Sequence, residues 1–155
     1  MTTVWRLVPG RRLSATPATP RCYRPSGPPP GLRCAPVPPE RDLSGGWLDR
    51  ATALKDARIT GVHLRLPGYG DAGPTLEVFQ YDEEAEAEAP VPHRPGFGHI
   101  AFAVDDVEAT KEAILEAGGG MVGEVVDVNI QGVGRLVFAY MRDPEGNILE
   151  IQRLG

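Results

Sequence analysis

The chain has 155 residues, with 16 Lys and Arg, 21 Asp and Glu, a formal net charge of −5, 19 Gly and 16 Pro. This length predicts one domain with a substantial core. Residues 1–41 carry seven Arg and one acid, whereas residues 42–155 carry nine basic and twenty acidic side chains. An acidic main domain argues against nucleic acid as a partner, and no apolar run reaches membrane-spanning length.

The first forty residues contain ten of the sixteen prolines. Proline removes a backbone donor and moves its predecessor out of the helical region, so we predict that residues 1–41 are disordered. Cys22 and Cys34 lie in this segment without metal-ligand spacing, which favours a reduced, cytoplasmic protein. We also expect the segment to have a different origin from the rest of the chain, and its removal to leave the thermal midpoint nearly unchanged.

Residues 42–66 predict the entry into the folded part. The glycines at 45 and 46 predict a turn, after which Trp47 and Leu48 begin a strand, with Trp47 as a core or lid aromatic. Residues 57–66 alternate with a period of two and predict a strand. One face of that strand is apolar, and the other carries His63 and Arg65, which either face solvent or line a cleft. In a cleft, the planar guanidinium of Arg65 suits a substrate carboxylate or phosphate.

Residues 75–81 (TLEVFQY) predict the next strand, on which Glu77 shares a face with Phe79. This segment alone leaves open whether Glu77 is a ligand in a cleft or a surface residue. Residues 83–95, an acidic-alanine run followed by prolines, predict a linker, and His93 within it is interpreted as a bystander.

Residues 98–104 alternate strictly between small and bulky side chains. Ile100, Phe102 and Val104 predict a face covered by a helix. His99 shares the opposite face with Ala101 and Ala103, mid-strand. Small side chains there leave space around His99, because a core strand would fill both faces.

The rest of the chain predicts one helix and three strands. Asp105 and Asp106 cap the helix, and Asp105 with Glu108 resembles a capping box. Strands follow over residues 121–129 and 135–141. Residues 143–147 (DPEGN) then predict a tight turn, and residues 148–152 predict a closing strand with Glu150 at its centre.

Taken together, GHIAFAV, RDPEGN and LEIQ in a strand, helix and three strands resemble the vicinal oxygen chelate superfamily (glyoxalase, bleomycin resistance protein and dioxygenase-like). The resemblance implies an α+β fold in which paired βαβββ modules form a cupped mixed sheet. It divides residues 42–155 into a partial first module (42–82), the linker (83–95) and a complete second module (96–155). The first module lacks the expected His-bearing first strand.

The same resemblance implies a metal site with Glu77, His99 and Glu150 as ligands, and Glu150 or Glu77 as catalytic base. His63, Arg65 and Phe79 are the candidate substrate contacts. The ion is Zn, Ni, Co, Mn, Mg or Fe, since these donors do not distinguish them. The expected activity is that of a lyase or isomerase that acts on a small oxygenated substrate through an enediolate or enolate. The expected assembly is a homodimer.

Three alternatives stay open. Extradiol dioxygenases use two His and one Glu around iron, and Glu77 argues instead for the glyoxalase or epimerase type. A metal-free protein of the same fold would bind a small drug. A truncated member would have no activity.

Overall fold

The computed structural model describes residues 3–6 (backbone), 34–66, 68–86 and 88–155. Contacts divide these residues into an N-terminal unit, up to residue 86, and a C-terminal unit from residue 88. The elements, in chain order, are β1 (Thr3–Arg6), β2 (Ala35–Ser44), α1 (Gly46–Thr52), β3 (Arg58–Arg65), β4 (Thr75–Tyr81), β5 (Ile100–Ala103), α2 (Val107–Glu116), β6 (Gly120–Met121), β7 (Val126–Ile130), β8 (Gly134–Arg142) and β9 (Ile148–Leu154).

The N-terminal unit contains a four-stranded sheet in the order β1-β4-β3-β2. β3 is antiparallel to both β4 and β2, and β1 runs parallel to β4. Val62 and Leu64 are buried, whereas His63 and Arg65 on the other face are half-buried. The predicted alternation of this strand is therefore confirmed.

The C-terminal unit contains a sheet in the order β5-β9-β8-β6, with β7 paired to β8. β5 runs parallel to β9, and the other pairs are antiparallel. Helix α2 packs on one face of this sheet. The buried residues of that core are Val104, Val107, Ala139, Met141 and Ile151.

Each unit pairs its first strand in parallel with its last strand, and the predicted α+β class is confirmed. In the C-terminal unit the strand–helix–strands order also matches the prediction. Phe102 of β5 packs in the same core as Val107 and Ile114 of α2, on the face that the alternation of residues 100–104 indicated.

The prediction that residues 1–41 are disordered is wrong for residues 3–6 and 35–41, which lie in β1 and β2. β2 is an edge strand, and its pairing with β3 is interrupted between Val37 and Arg41, where Pro38 and Pro39 lie. Proline is tolerated at a sheet edge or a bulge because no ladder donor is needed there. Residues 1–2 and 7–33 of the predicted disordered segment lie outside the described residues.

The strand predicted to begin at Trp47 is instead the short helix α1. Trp47 is exposed, so its predicted role as a core aromatic is wrong. Leu48 is the buried residue of α1 and packs with Ala57 and Ile59. The Asp49 carboxylate accepts a hydrogen bond from the Ala57 N–H at 2.8 Å, which joins α1 to the start of β3.

Two boundaries of the C-terminal unit differ from the predicted ones. Asp106, not Asp105, is the N-cap of α2, and its carboxylate accepts from the Ala109 N–H at 2.9 Å. The strand predicted over residues 121–129 is divided into β6 and β7.

After α2, Gly119 donates to the Ile114 carbonyl, and a Cβ at Gly119 would meet the Arg142 carbonyl at 2.4 Å. Only glycine therefore lets the chain enter β6 beside β8.

The predicted turn at residues 143–147 joins β8 to β9. One oxygen of the Asp143 carboxylate accepts from the backbone N–H groups of Glu145 (3.0 Å) and Asn147 (2.8 Å), and the other accepts from the Asn147 amide at 2.8 Å. Gly146 has a φ of 92°, which suits glycine. The turn fixes the β8–β9 register and thus the residue opposite Glu150.

Within the described parts of the chain, no helix is both long and apolar enough to cross a membrane.

Candidate functional site

His99 and Glu150 form a close pair in the C-terminal unit. Ala101 of β5 lies opposite Glu150 of β9, and His99 lies two residues before Ala101, immediately ahead of the strand. His99 Nε2 is 3.0 Å from Glu150 Oε2, and the side chains are 34% and 11% exposed. The sequence predicted His99 in the middle of a strand. The structure places it immediately before β5, where its ring contacts the Glu150 carboxylate.

Tyr140 completes this cluster from the other side of Glu150. The β8–β9 register places Tyr140 directly opposite Glu150. Its ring meets the His99 ring edge-to-face, with centroids 4.8 Å apart at 70°. Partial burial raises the pKa of Tyr140, and the negative charge of Glu150 and a hydrogen bond to it add to the effect. A neutral phenol therefore accompanies the carboxylate at neutral pH.

Sequence reasoning missed Tyr140 as a member of the site. The signal that could have found it is the turn predicted at residues 143–147, because this turn fixes the register that pairs Tyr140 with Glu150. The space predicted beside His99 is consistent with the exposure of Ala101 and Ala103, while Phe102 packs toward α2.

The N-terminal unit has a related pair. His63 of β3 lies opposite Glu77 of β4 in the antiparallel register. His63 Nε2 is 3.6 Å from Glu77 Oε1, and the side chains are 22% and 23% exposed. The imidazole also meets the Phe79 ring edge-to-face at 5.7 Å.

Gly61 allows the Phe79 ring to lie against the backbone of β3. A Cβ at Gly61 would lie 2.5 Å from Phe79 Cδ1 and 2.1 Å from the Val78 carbonyl oxygen. Real Cβ atoms do not approach so closely, so a larger residue here would move the ring away from His63.

The third predicted substrate residue, Arg65, is already partly engaged. Its guanidinium donates to the backbone carbonyl of Asp71, in the connection between β3 and β4. A guanidinium has five N–H donors, so this contact orients Arg65 without using its whole capacity.

The predicted ligands divide between the two units, with Glu77 in the N-terminal unit and His99 with Glu150 in the C-terminal unit. No group of three or more His, Cys, Asp or Glu that could hold a metal occurs in the described ranges. Each unit instead supplies one imidazole nitrogen and one carboxylate. These donor types fit divalent ions such as Zn and Ni.

Comparison with known proteins gives a family match over most of the chain. The model of the Glyoxalase/Bleomycin resistance protein/Dioxygenase superfamily matches residues 50–151. A lactoylglutathione lyase of Haemophilus influenzae is 40% identical over 111 residues, which cover 71% of this chain and 76% of that enzyme.

Two further similarities differ in extent. CFP32 of Mycobacterium tuberculosis, a provisionally named glyoxylase, is 42% identical over 64 residues, and the match spans only 23% of its length. A glyoxalase family protein from Bacillus cereus has a similar structure, with a TM-score of 0.67 over 80% of each chain and 20% sequence identity. At that identity the similarity establishes the fold alone.

Proposed function

Because the chain belongs to the Glyoxalase/Bleomycin resistance protein/Dioxygenase superfamily, we propose that it is a divalent-metal-dependent lyase of the glyoxalase I type. Its proposed product is lactoylglutathione or a related thioester of a 2-hydroxy acid. The observation that carries the proposal is the 3.0 Å contact between His99 and Glu150 on a half-buried face. The identity to a lactoylglutathione lyase supports the substrate class.

His99, Glu150 and Glu77 are the proposed ligands. Their nitrogen and oxygen donors fit Zn, Ni, Co, Mn, Mg or Fe, and the donors do not select among these ions. When bound, the ion supplies a Lewis acid that stabilises negative charge developing on two neighbouring substrate oxygens.

The reaction needs a base that acts twice. Lactoylglutathione is an isomer of the hemithioacetal formed by glutathione and a 2-oxoaldehyde. The conversion therefore removes a proton from the carbon bonded to sulfur and returns one to the neighbouring carbon, through an enediolate. Glu150 is the better placed base, because its side chain is 11% exposed and that of Glu77 is 23% exposed. Less water then competes for the carboxylate.

Tyr140 and the N-terminal unit support this step. The hydrogen bond from Tyr140 orients the Glu150 carboxylate. Arg65 binds a carboxylate of the glutathione moiety with its free donors, and Phe79 contacts the apolar part of the substrate. We also propose a homodimer, which light scattering coupled to size-exclusion chromatography tests directly.

The test combines metal analysis with kinetics on the full-length chain. Purified protein is loaded with Zn, Ni, Co, Mn, Mg or Fe, and its metal content is measured by mass spectrometry. Thioester formation is then followed from the hemithioacetal. We expect about one metal per chain. Glu150→Gln should lower kcat by about 10²–10⁴-fold, the usual contribution of a general base. His99→Ala should lose metal.

Glu116→Gln, at the end of α2, and His93→Ala, in the linker, are the matched controls and should resemble the unmodified chain. Failure to bind any of the six metals would overturn the proposal, as would full activity of Glu150→Gln. Drug binding by the metal-free chain without activity would support the binding-protein alternative.

A further inference from the structure

Strand β7 forms part of one edge of the C-terminal sheet. Among the described residues, β7 pairs with β8 alone, from Val126 opposite Phe138 to Ile130 opposite Gly134. Successive residues of a strand direct their N–H and C=O groups to opposite sides, so alternate residues of β7 point these groups away from β8. Such an edge can accept a further strand, because its donors and acceptors already lie in a row.

The other edge strands are protected against such pairing in ways that β7 is not. Strand β2 contains Pro36, Pro38 and Pro39, and its pairing is interrupted. Strands β1 and β5 have four residues each, and β6 has two. Prolines, irregular pairing and short length are the usual protection of a sheet edge. Strand β7 has five residues, contains neither proline nor lysine, and pairs with β8 without a break.

The side chains of β7 extend an apolar strip to this edge. Val126, Val128 and Ile130 alternate along the strand and therefore share one face of the sheet. By the strand registers this is the face that carries Glu150, whereas α2 packs on the other face. Val128 and Ile130 are each 38% exposed. Exposed apolar side chains beside unpaired backbone groups favour pairing with a further strand.

The other face of β7 carries one charge, and that charge is already paired. The Asp127 carboxylate accepts two hydrogen bonds from the Arg135 guanidinium of β8, at 2.9 and 2.6 Å. The strand has no other charged side chain. Strand β7 therefore presents no unpaired charge of its own to an incoming strand, although such charges are a common barrier to edge pairing.

The sequence of β7 is complementary to a second copy of itself. In an antiparallel pair centred on Val128, Val126 lies opposite Ile130 and Asp127 lies opposite Asn129, so that all five residues have a partner. Opposite side chains lie on the same face, so the apolar strips of the two copies become continuous. A shift by two residues is the smallest that keeps each side chain on its face. It either places Asp127 opposite its own copy, where like charges repel, or leaves part of the strand opposite the turn after Ile130.

We propose that β7 is a self-association surface, which pairs with β7 of a second copy in the register centred on Val128. The inference rests on the proposed homodimer, to which it gives a contact surface, and it is independent of the proposed chemistry. Each copy contributes one strand of five residues, so the interface is small and the association should depend on protein concentration.

Cysteine cross-linking of the full-length chain tests the register. Because Val128 lies opposite its own copy, with Cα atoms about 4.5–5.5 Å apart, Val128→Cys should form a disulfide between two chains under mild oxidation. The native Cys22 and Cys34 are replaced by serine and alanine in these chains. The matched control is Val133→Cys, in the exposed turn after β7. It should cross-link much more slowly, because the two copies of this turn lie at opposite ends of the paired strands.

A charged replacement tests the association itself. Val128→Lys places two like charges opposite each other and should weaken dimerisation by about 10-fold or more, as measured by analytical ultracentrifugation over a range of concentrations. Val133→Lys adds the same charge outside the paired strands and should leave dimerisation unchanged. Circular dichroism checks that both variants are folded.

The outcomes distinguish this inference from the proposed function. Faster cross-linking at position 128 than at position 133, together with a weakened Val128→Lys dimer, supports the inference. A dimer that persists in Val128→Lys, or equal rates of cross-linking at the two positions, overturns it and assigns the homodimer to another surface. A monomeric unmodified chain overturns both the inference and the homodimer, and leaves the edge to an extended segment of another protein. Metal content and thioester formation of the unmodified chain decide the lyase proposal separately.

Discussion

Replacing Asp143 by alanine should be among the most destabilising changes in the C-terminal unit. Asp143 accepts three hydrogen bonds, two from backbone N–H groups of the turn and one from the Asn147 amide. The Asp143 side chain is half-buried, so water can replace only part of the hydrogen bonding that the substitution removes. Because the turn fixes the register between β8 and β9, its loss also affects the pairing of Tyr140 with Glu150.

The magnitude follows from those three bonds. A hydrogen bond to a charged group contributes about 1.5–3 kcal/mol, and partial solvent access reduces this value. We expect Asp143→Ala to lower the free energy of unfolding by about 2–4 kcal/mol, a large part of the typical total of about 5–15 kcal/mol. Asp143→Asn retains an oxygen for the two backbone donors and should cost about 1 kcal/mol.

Urea unfolding monitored by circular dichroism measures both variants. Burial raises the pKa of Asp143 above its ordinary 3.8, although its hydrogen bonds oppose this shift. In the window just above pH 3.8 the folded state therefore retains a proton that the unfolded state loses. The stability of the unmodified chain relative to Asp143→Asn should fall as the pH rises through that window. Equal stability of the two variants, or a loss below about 1 kcal/mol in Asp143→Ala, would refute the reasoning.

Three further predictions concern other parts of the chain. Tyr140 should titrate above pH 10 in an ultraviolet titration, so that the free energy of unfolding falls as the pH rises beyond 10. Glu150→Gln should lower the pKa of Tyr140 without returning it to 10, because burial is the larger cause of the shift. An unchanged pKa in this variant would contradict the contact between the two side chains. Asp106→Ala removes the cap of α2 and should cost about 1 kcal/mol in urea unfolding, whereas the neighbouring Asp105→Ala should cost little. A chain beginning at residue 42 loses β1 and most of β2 and should lose its cooperative thermal transition. This prediction replaces the expectation from sequence that the thermal midpoint hardly changes. An unchanged midpoint would show that both edge strands are dispensable.

The parts of the fold that sequence predicted well are those with strong local patterns. Strand β4 has the predicted bounds of residues 75–81. Its side chains alternate between the two faces of the sheet, and this pattern can be recognised from consecutive residues alone. The proximity of His99 and Glu150 followed from two strands of a recognisable module. The metal site itself, with Glu77 as a third ligand, stays a prediction.

The errors occurred where tertiary context outweighs local preference. Pro38 and Pro39 argued against a strand, but an edge position with interrupted pairing removes the objection. Trp47 and Leu48 resembled the start of a strand, yet a helix of seven residues was enough to bury Leu48. Tyr140 was missed because its importance depends on register, a property of two strands that neither strand shows alone.

The parallel pairing of β1 with β4 also has a consequence for biosynthesis. Residues 3–6 leave the ribosome well before their partners, residues 76–79, are translated. Pairings so distant in sequence carry a high loop-closure cost and form slowly. We therefore expect residues 3–6 of the nascent chain to stay accessible to proteases until residue 81 has left the exit tunnel. Ribosome-stalled chains of increasing length would be treated briefly with protease. Protection of residues 3–6 in chains shorter than this would contradict the expectation and show that these residues fold early.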